Sequence, residues 1–234
     1  MQAVSYKSDD SVVLDNLSFT VAQGEFLVIA GSDVVGKTPF LKLCVGLINP
    51  SSGDVIINGK NIKEFSYNEM QRFRQKTGFV FQDGTLISNL NIRENIALPL
   101  KYHYGVSDKT IDKRVEKYLE SLKLVRYANE RPAGLPLETK LLAGLARALI
   151  VEPDLLLLDE LFTSLGKTTV SIIISNLKAL KKENNVTCLM TSNTVRLKSV
   201  VSEEYLADSL MVIDGGSIIE RGNFREVRER LIAD

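Results

Sequence analysis

The residues best suited to chemistry are Gly31-Ser32-Asp33-Val34-Val35-Gly36-Lys37-Thr38. They have the spacing G-x-x-x-x-G-K-[ST], in which backbone N–H groups at a helix N-terminus cradle phosphates. An apolar run, Phe26-Leu27-Val28-Ile29-Ala30, precedes them, and an apolar-periodic run from Phe40 to Leu47 follows. That strand–loop–helix context is what the pattern requires. Lys37 would place a point charge on the β- and γ-phosphates, and the Thr38 hydroxyl would serve Mg²⁺. Pro39 falls in the first helical turn, where a missing N–H costs little. A second chemical cluster is Asp159-Glu160, two carboxylates that end the run Leu155-Leu156-Leu157-Leu158. Ligands of open parallel sheets bind beyond the carboxyl ends of strands. There Asp159 can hold a Mg²⁺-bound water, and Glu160 can act as general base on an attacking water.

The elements that must position these groups follow from periodicity. Val12 to Val21 and Gly24 punctuate a β-rich start, and a helix is expected over 37–47. Asp54 to Gly59 reads as a strand ending in a tight turn, 67–75 as a short helix, and Gly78-Phe79-Val80-Phe81 as a buried strand. From about 83 to 145 the pattern is mostly helical. Ser107 is a good N-cap, and Ile111, Val115, Leu119 and Leu122 repeat at helical spacing. Val186-Thr187-Cys188-Leu189-Met190 is another buried strand, and Val170, Ile173, Ile174, Leu177 and Leu180 mark an amphipathic helix before it. Unalternating apolar strands separated by helices indicate a parallel sheet. Asp214-Gly215-Gly216 turns a hairpin, and a helix from Phe224 to Leu231 closes the pattern.

With 234 residues the chain is long enough to bury a core. Lys+Arg and Asp+Glu are both 29, and this balance argues against a nucleic-acid partner. Cys44 and Cys188 lie in apolar segments and read as buried thiols in a reducing compartment. The N-terminus shows no apolar signal region, and no apolar run approaches a membrane span.

Taken together, these pieces resemble the nucleotide-binding subunit of an ABC transporter, over nearly the whole chain. The resemblance implies a P-loop NTPase of ABC type: an α/β fold with a mostly parallel core sheet, an antiparallel β subdomain and a helical subdomain. It implies one ATP-binding domain over 1–234, with 1–82 and 146–234 as core and 83–145 as the helical subdomain that touches the permease. Gly31–Thr38 matches Walker A and Asp159-Glu160 matches Walker B. The resemblance also assigns Tyr6 to adenine stacking, and Gln82 to contact with Mg²⁺ and the attacking water. The nucleotide set is then Tyr6, Gly31, Ser32, Asp33, Val34, Val35, Gly36, Lys37, Thr38 and Pro39. The metal set is Thr38, Gln82 and Asp159, and the catalytic pair is Glu160 and Gln82. ATP and Mg²⁺ are the implied cofactors. A membrane permease and a second ABC subunit, in a homodimer or heterodimer, are the implied partners. The implied place is the cytoplasmic face of the plasma membrane. Residues 83–90 and 94–100 look most like the ATPases of Mla/Mce-type lipid transporters, with lipoprotein-release and FtsE-like ATPases close.

The departures from the family pattern bear on turnover. At the Leu-Ser-Gly-Gly-Gln signature this chain has Leu135-Pro136-Leu137-Glu138-Thr139. Pro136 removes a hydroxyl and an N–H, Leu137 and Glu138 replace glycines, and Glu138 is expected to point negative charge toward a phosphate. Each lost charge-assisted hydrogen bond is worth roughly 1.5–3 kcal/mol. Ser192 stands at the switch histidine, and the sole histidine, His103, is read as a surface residue. Gly166 stands at the D-loop aspartate, Leu161 at a proline, Val34 at the middle Walker A glycine, and Pro39 at the second hydroxyl residue. The expectation is ATP binding with impaired hydrolysis. A fully active ATPase and a nucleotide-independent structural subunit are the alternatives.

Overall fold

A computed structural model describes residues 1–9, 11–32, 36–102, 106–163, 165–194 and 206–233. Val34 and His103, and with them Asp33, Val35 and Ser164, lie outside the described residues. The chain forms two compact units, 1–74 with 187–234, and 75–186.

The first unit opens with β1 (Gln2–Ser8), which pairs antiparallel with both β2 (Ser11–Leu17) and β4 (Ser52–Asp54). Polar residues dominate β1, so periodicity alone did not mark it. Its place comes from ladder hydrogen bonds to β2, the next strand, on one edge and to the more distant β4 on the other. β3 (Phe26–Gly31) is buried at every position. It lies between β9 (Thr187–Asn193) and β10 (Ser209–Asp214) and is parallel to both. Burial on both faces explains why these strands read as continuous apolar runs. β10 turns at Gly215-Gly216 into antiparallel β11 (Ser217–Asn223), and a C-terminal helix, α7 (Phe224–Ala233), buries Phe224 and Val227. The expected strand ending in a tight turn over 54–59 is the first arm of a small hairpin, β5 (Ile56–Ile57) and β6 (Lys60–Asn61), with the turn at Asn58-Gly59. Asn58 and Gly59 turn it with positive φ, as a tight two-residue hairpin demands. Helix α1 (Lys37–Cys44) stops three residues short of the expected end, where Gly46 takes positive φ. Helix α2 (Tyr67–Gln75) runs past the boundary between the units by one residue.

The second unit begins with β7 (Thr77–Val80), which pairs parallel with β8 (Leu155–Leu158). Between them lie α3 (Ile92–Lys101), α4 (Asp108–Ser121) and α5 (Leu137–Leu149). Ser107 caps α4 through the Thr110 N–H, and Ile111, Val115 and Leu119 form its buried stripe. Helix α6 (Lys167–Asn184) follows β8. Residues 82–91 are not helical but a tethered loop. Among the described residues, no helix is long and apolar enough to cross a membrane.

Both cysteines are free and buried. Burial pushes the Cys44 thiol up to about 12. Only about one molecule in ten thousand then carries its thiolate at pH 8, and the thiolate is the nucleophile. Aromatic disulfide reagents at pH 8 should therefore leave Cys44 unmodified in the native protein and label it promptly in denaturant. Rapid native labelling would contradict the packing.

Candidate functional site

In the first unit β3 ends at Gly31 and α1 begins at Lys37, at the two ends of the glycine-bounded stretch. Gly36 is the N-cap of α1 at φ 73°, and a side chain there would place its Cβ 2.3 Å from a Val13 methyl. Glycine is thus required twice, by backbone conformation and by space. The first turn of α1 carries Lys37, Thr38 and Pro39 but no acidic residue, and its N-cap residue, Gly36, supplies no side-chain cap. That leaves the helix N-terminus suited to an anion from outside the helix. Lys37 is only 4% exposed. Its Nζ donates to the carbonyl oxygens of Gly31 and Ser32, both at 2.8 Å, so the ammonium is held inside the loop. Tyr6 pairs with Leu14 across the β1–β2 ladder, and Leu14 lies beside Gly36. The resemblance-assigned aromatic is therefore one strand away from the loop's second glycine. On the other side of β3, Ser192 is in register with Ala30 and Asn193 with Gly31. Ser192, at the switch position, is buried and adjoins the start of the loop.

In the second unit, the parallel pairing of β7 with β8 brings Gln82 and Asp159-Glu160 to the same strand ends. Val80 pairs with Leu158, and the Asp159 N–H donates to the Val80 carbonyl at 2.9 Å. Asp159 is 2% exposed, whereas Gln82 is on the surface. Glu160 takes φ 47°, in the left-handed region that a branched or long side chain enters at a cost. Such strain clusters at functional sites, where the surroundings over-determine it. Here the turn beyond Glu160 is closed by the Thr163 N–H on the Glu160 carbonyl at 3.0 Å, while Leu161 and Phe162 are buried.

Helix α5 begins at the signature position, with Pro136 as N-cap and no side-chain cap of its own. Leu137 is 43% exposed. The Glu138 carboxylate has partners within its own unit that the sequence did not indicate. It accepts from the Gly166 N–H and from the Thr169 hydroxyl, both at 2.7 Å. These two bonds, the backbone one first, hold the carboxyl below its ordinary range. The charge serves the first turn of α6 within the same unit.

The sequence reading missed what anchors the segment after Gln82. Asn95 is fully buried in α3. Its Oδ1 accepts from the Ile87 N–H at 2.8 Å, and its Nδ2 faces the carbonyls of Ile87, Leu90 and Asn91 within 3.1 Å. Arg147 of α5 donates to the Thr85 carbonyl at 2.9 Å, and Gly84 packs against the α5 backbone at Lys140. The capping box of Asn91 and Glu94 marks the start of α3 in the sequence, but nothing there distinguishes Asn95 from an exposed asparagine.

The metal set implied by resemblance is a hydroxyl, a carboxamide and a carboxylate. An all-oxygen set suits Mg²⁺, and Asp159 brings a buried carboxylate to a strand end. The residues fit the ion in donor chemistry.

Comparison with known proteins agrees with this geometry. The ABC transporter family matches residues 14–163. The chain is 35% identical to the methionine import ATP-binding protein MetN 2 of Paraburkholderia xenovorans over 212 residues. That is 91% of this chain but 53% of MetN 2, so the chain spans about half the length of that relative. It is 31% identical to the intermembrane phospholipid transport system ATP-binding protein MlaF of Haemophilus influenzae, over 92% of this chain and 82% of MlaF. In structure it is similar to the dimeric ATP-binding cassette MJ0796 bound to ADP and Pi. The TM-score is 0.84 at 27% identity, covering 96% of this chain and 97% of that one. A family match over most of the chain, joined to a phosphate loop on β3 and α1 and to paired carboxylates at the end of β8, places it: the chain belongs to the ABC transporter family, with the P-loop NTPase fold of an ATP-binding cassette.

Proposed function

We propose that the chain is the ATP-binding subunit of a membrane ABC transporter for lipid or another hydrophobic cargo, and that it binds ATP while hydrolysing it poorly. The nucleotide reading rests on the α1 N-terminus and Lys37, which offer backbone N–H groups and a desolvated ammonium to phosphate. Tyr6 stacks on the adenine. Thr38, Gln82 and Asp159 are the residues that would hold Mg²⁺, which supplies neutralisation of phosphate charge when bound. Glu160 accepts the proton of the attacking water, and Gln82 orients that water.

The observation that carries impaired hydrolysis is the start of α5. The family uses a serine, two glycines and a helix N-terminus to clamp the γ-phosphate across a dimer. This chain presents Pro136, an exposed Leu137, and Glu138 already bonded to Gly166 and Thr169. Pro136 has neither hydroxyl nor N–H to give, and Leu137 obstructs close backbone approach. A second ABC subunit with an intact signature would complete this chain's own phosphate loop. MlaF's name supports lipid cargo, and MJ0796's dimer supports a paired subunit. The permease partner and the cytoplasmic face of the plasma membrane follow from the same transporter reading. The balance of 29 basic and 29 acidic residues favours no nucleic acid.

A fully active ATPase is the second reading, favoured by the retained strained turn at Glu160. Equilibrium dialysis with ATP and a phosphate-release assay on the purified homodimer separate the two. The expected result is saturable ATP binding with phosphate release far below ordinary transporter rates. Ordinary rates abolished by Glu160→Gln would overturn impaired hydrolysis, and absence of binding would leave only a structural role.

A further inference from the structure

Two of this chain's departures from its family touch each other. The signature glycine is replaced by Glu138 and the D-loop aspartate by Gly166, and the Glu138 carboxylate is hydrogen-bonded to the Gly166 N–H at 2.7 Å. We propose that they are one compensated change: Glu138 is the relocated carboxylate cap of α6, and through it the positioning residue for the turn that carries Glu160.

Gly166 is the N-cap of α6 at φ −69° and ψ 157°, an extended conformation open to any residue. A Cβ there would meet only the Glu138 Oε1, at 3.4 Å, an ordinary contact. Neither backbone nor space requires glycine, and an aspartate could cap the helix from this position. Glycine has no side chain to do so, and α6 has no cap from its own N-cap residue. Glu138 brings carboxylate oxygens to that end of the helix by another route: one accepts from the N–H of Gly166 itself and the other from the Thr169 hydroxyl of the first turn. It sits in the first turn of α5 as well, so one anion faces two helix N-termini, where each dipole favours negative charge.

The same contact ties down Gly166, which follows in the chain after the turn that Glu160 and Thr163 close. Asp159 is tied upstream to Val80, and Gly166 is tied downstream to Glu138. Between them stands Glu160 with its positive φ. A strained residue persists when the chain is held on both sides of it. Restoring a signature glycine at 138 without also restoring aspartate at 166 therefore releases this turn.

The inference goes beyond the proposed function and needs no nucleotide, so its failure and the failure of ATP binding are read separately. The experiment is amide hydrogen exchange on the full chain and on Glu138→Ala, Gly166→Asp and the double variant, at neutral pH. Glu138→Ala should raise opening about tenfold at Thr163 and at Val170 to Ile173, the size expected for losing a helix cap. Amides in the middle of α4 should not change. Adding Gly166→Asp should return the affected amides to within about twofold of the parent. Gly166→Asp alone should bring no protection, because its carboxylate would crowd Glu138. Unchanged exchange in Glu138→Ala would overturn the cap. Equal effects of Gly166→Asp with and without Glu138 would overturn the compensation.

Discussion

Replacing Lys37 with alanine lowers ATP affinity at least about a hundredfold, while the protein remains folded. The ammonium is positioned before any nucleotide arrives, held by the Gly31 and Ser32 carbonyls at 2.8 Å and 4% exposed. Charge-assisted hydrogen bonds to phosphate contribute roughly 1.5–3 kcal/mol each, and losing two exceeds the roughly 2.7 kcal/mol of a hundredfold change. The remaining N–H groups of α1 still attract anions, so weak binding survives. Titration calorimetry with ATP on both proteins reads the difference. Thermal melts without nucleotide should show a smaller loss, since two carbonyl acceptors lose one donor. Equal affinity in the two proteins would mean that the loop at 31–38 is not the nucleotide site.

Asn95→Ala costs about 3 kcal/mol of stability, the largest effect expected from a polar residue here. Asn95 is fully buried and ties α3 to the loop after Gln82 through Ile87, Leu90 and Asn91. Alanine leaves the Ile87 N–H and the Leu90 carbonyl without the side-chain partner, while the Ile87 and Asn91 carbonyls keep the N–H groups of Leu90 and Asn95; each unsatisfied buried group costs roughly 1–3 kcal/mol. Asn95→Asp is expected to be worse, although it is nearly isosteric. It would turn an oxygen toward the carbonyls that the Nδ2 hydrogens now satisfy. Urea unfolding of the three proteins gives the order wild type, alanine, aspartate. An aspartate variant as stable as wild type would show that the amide is not what holds the loop. Because that loop follows directly on Gln82, the alanine variant should also lose exchange protection at Ile87 before it unfolds globally.

Strand and helix content was legible where burial is strong and local. The fully apolar Phe26–Ala30 and Leu155–Leu158 runs are strands because both faces are covered, and the glycine-bounded loop after the first is set by local spacing. β1 was illegible because its residues are mostly polar and one of its two partners, β4, is distant in sequence. Asn95 was illegible because a buried asparagine differs from an exposed one only in its partners, which lie in a loop brought back onto α3.

The sequence by itself determined the family and the chemistry on offer. A lysine and threonine after the second loop glycine, and two carboxylates after an apolar strand, are local patterns whose backbone context is their own flanks. It also determined that residue 136 has no N–H to offer a ligand, since proline lacks one in any fold. Only the tertiary structure decided where the charge of Glu138 goes. Read along the chain, that carboxylate was expected to point toward a phosphate. Folded, it lies 2.7 Å from a backbone N–H that is 28 residues away, at the start of another helix. The reason is physical: a carboxylate goes to whichever donors the fold brings within reach, and those of α6 are brought there by packing, not by sequence spacing.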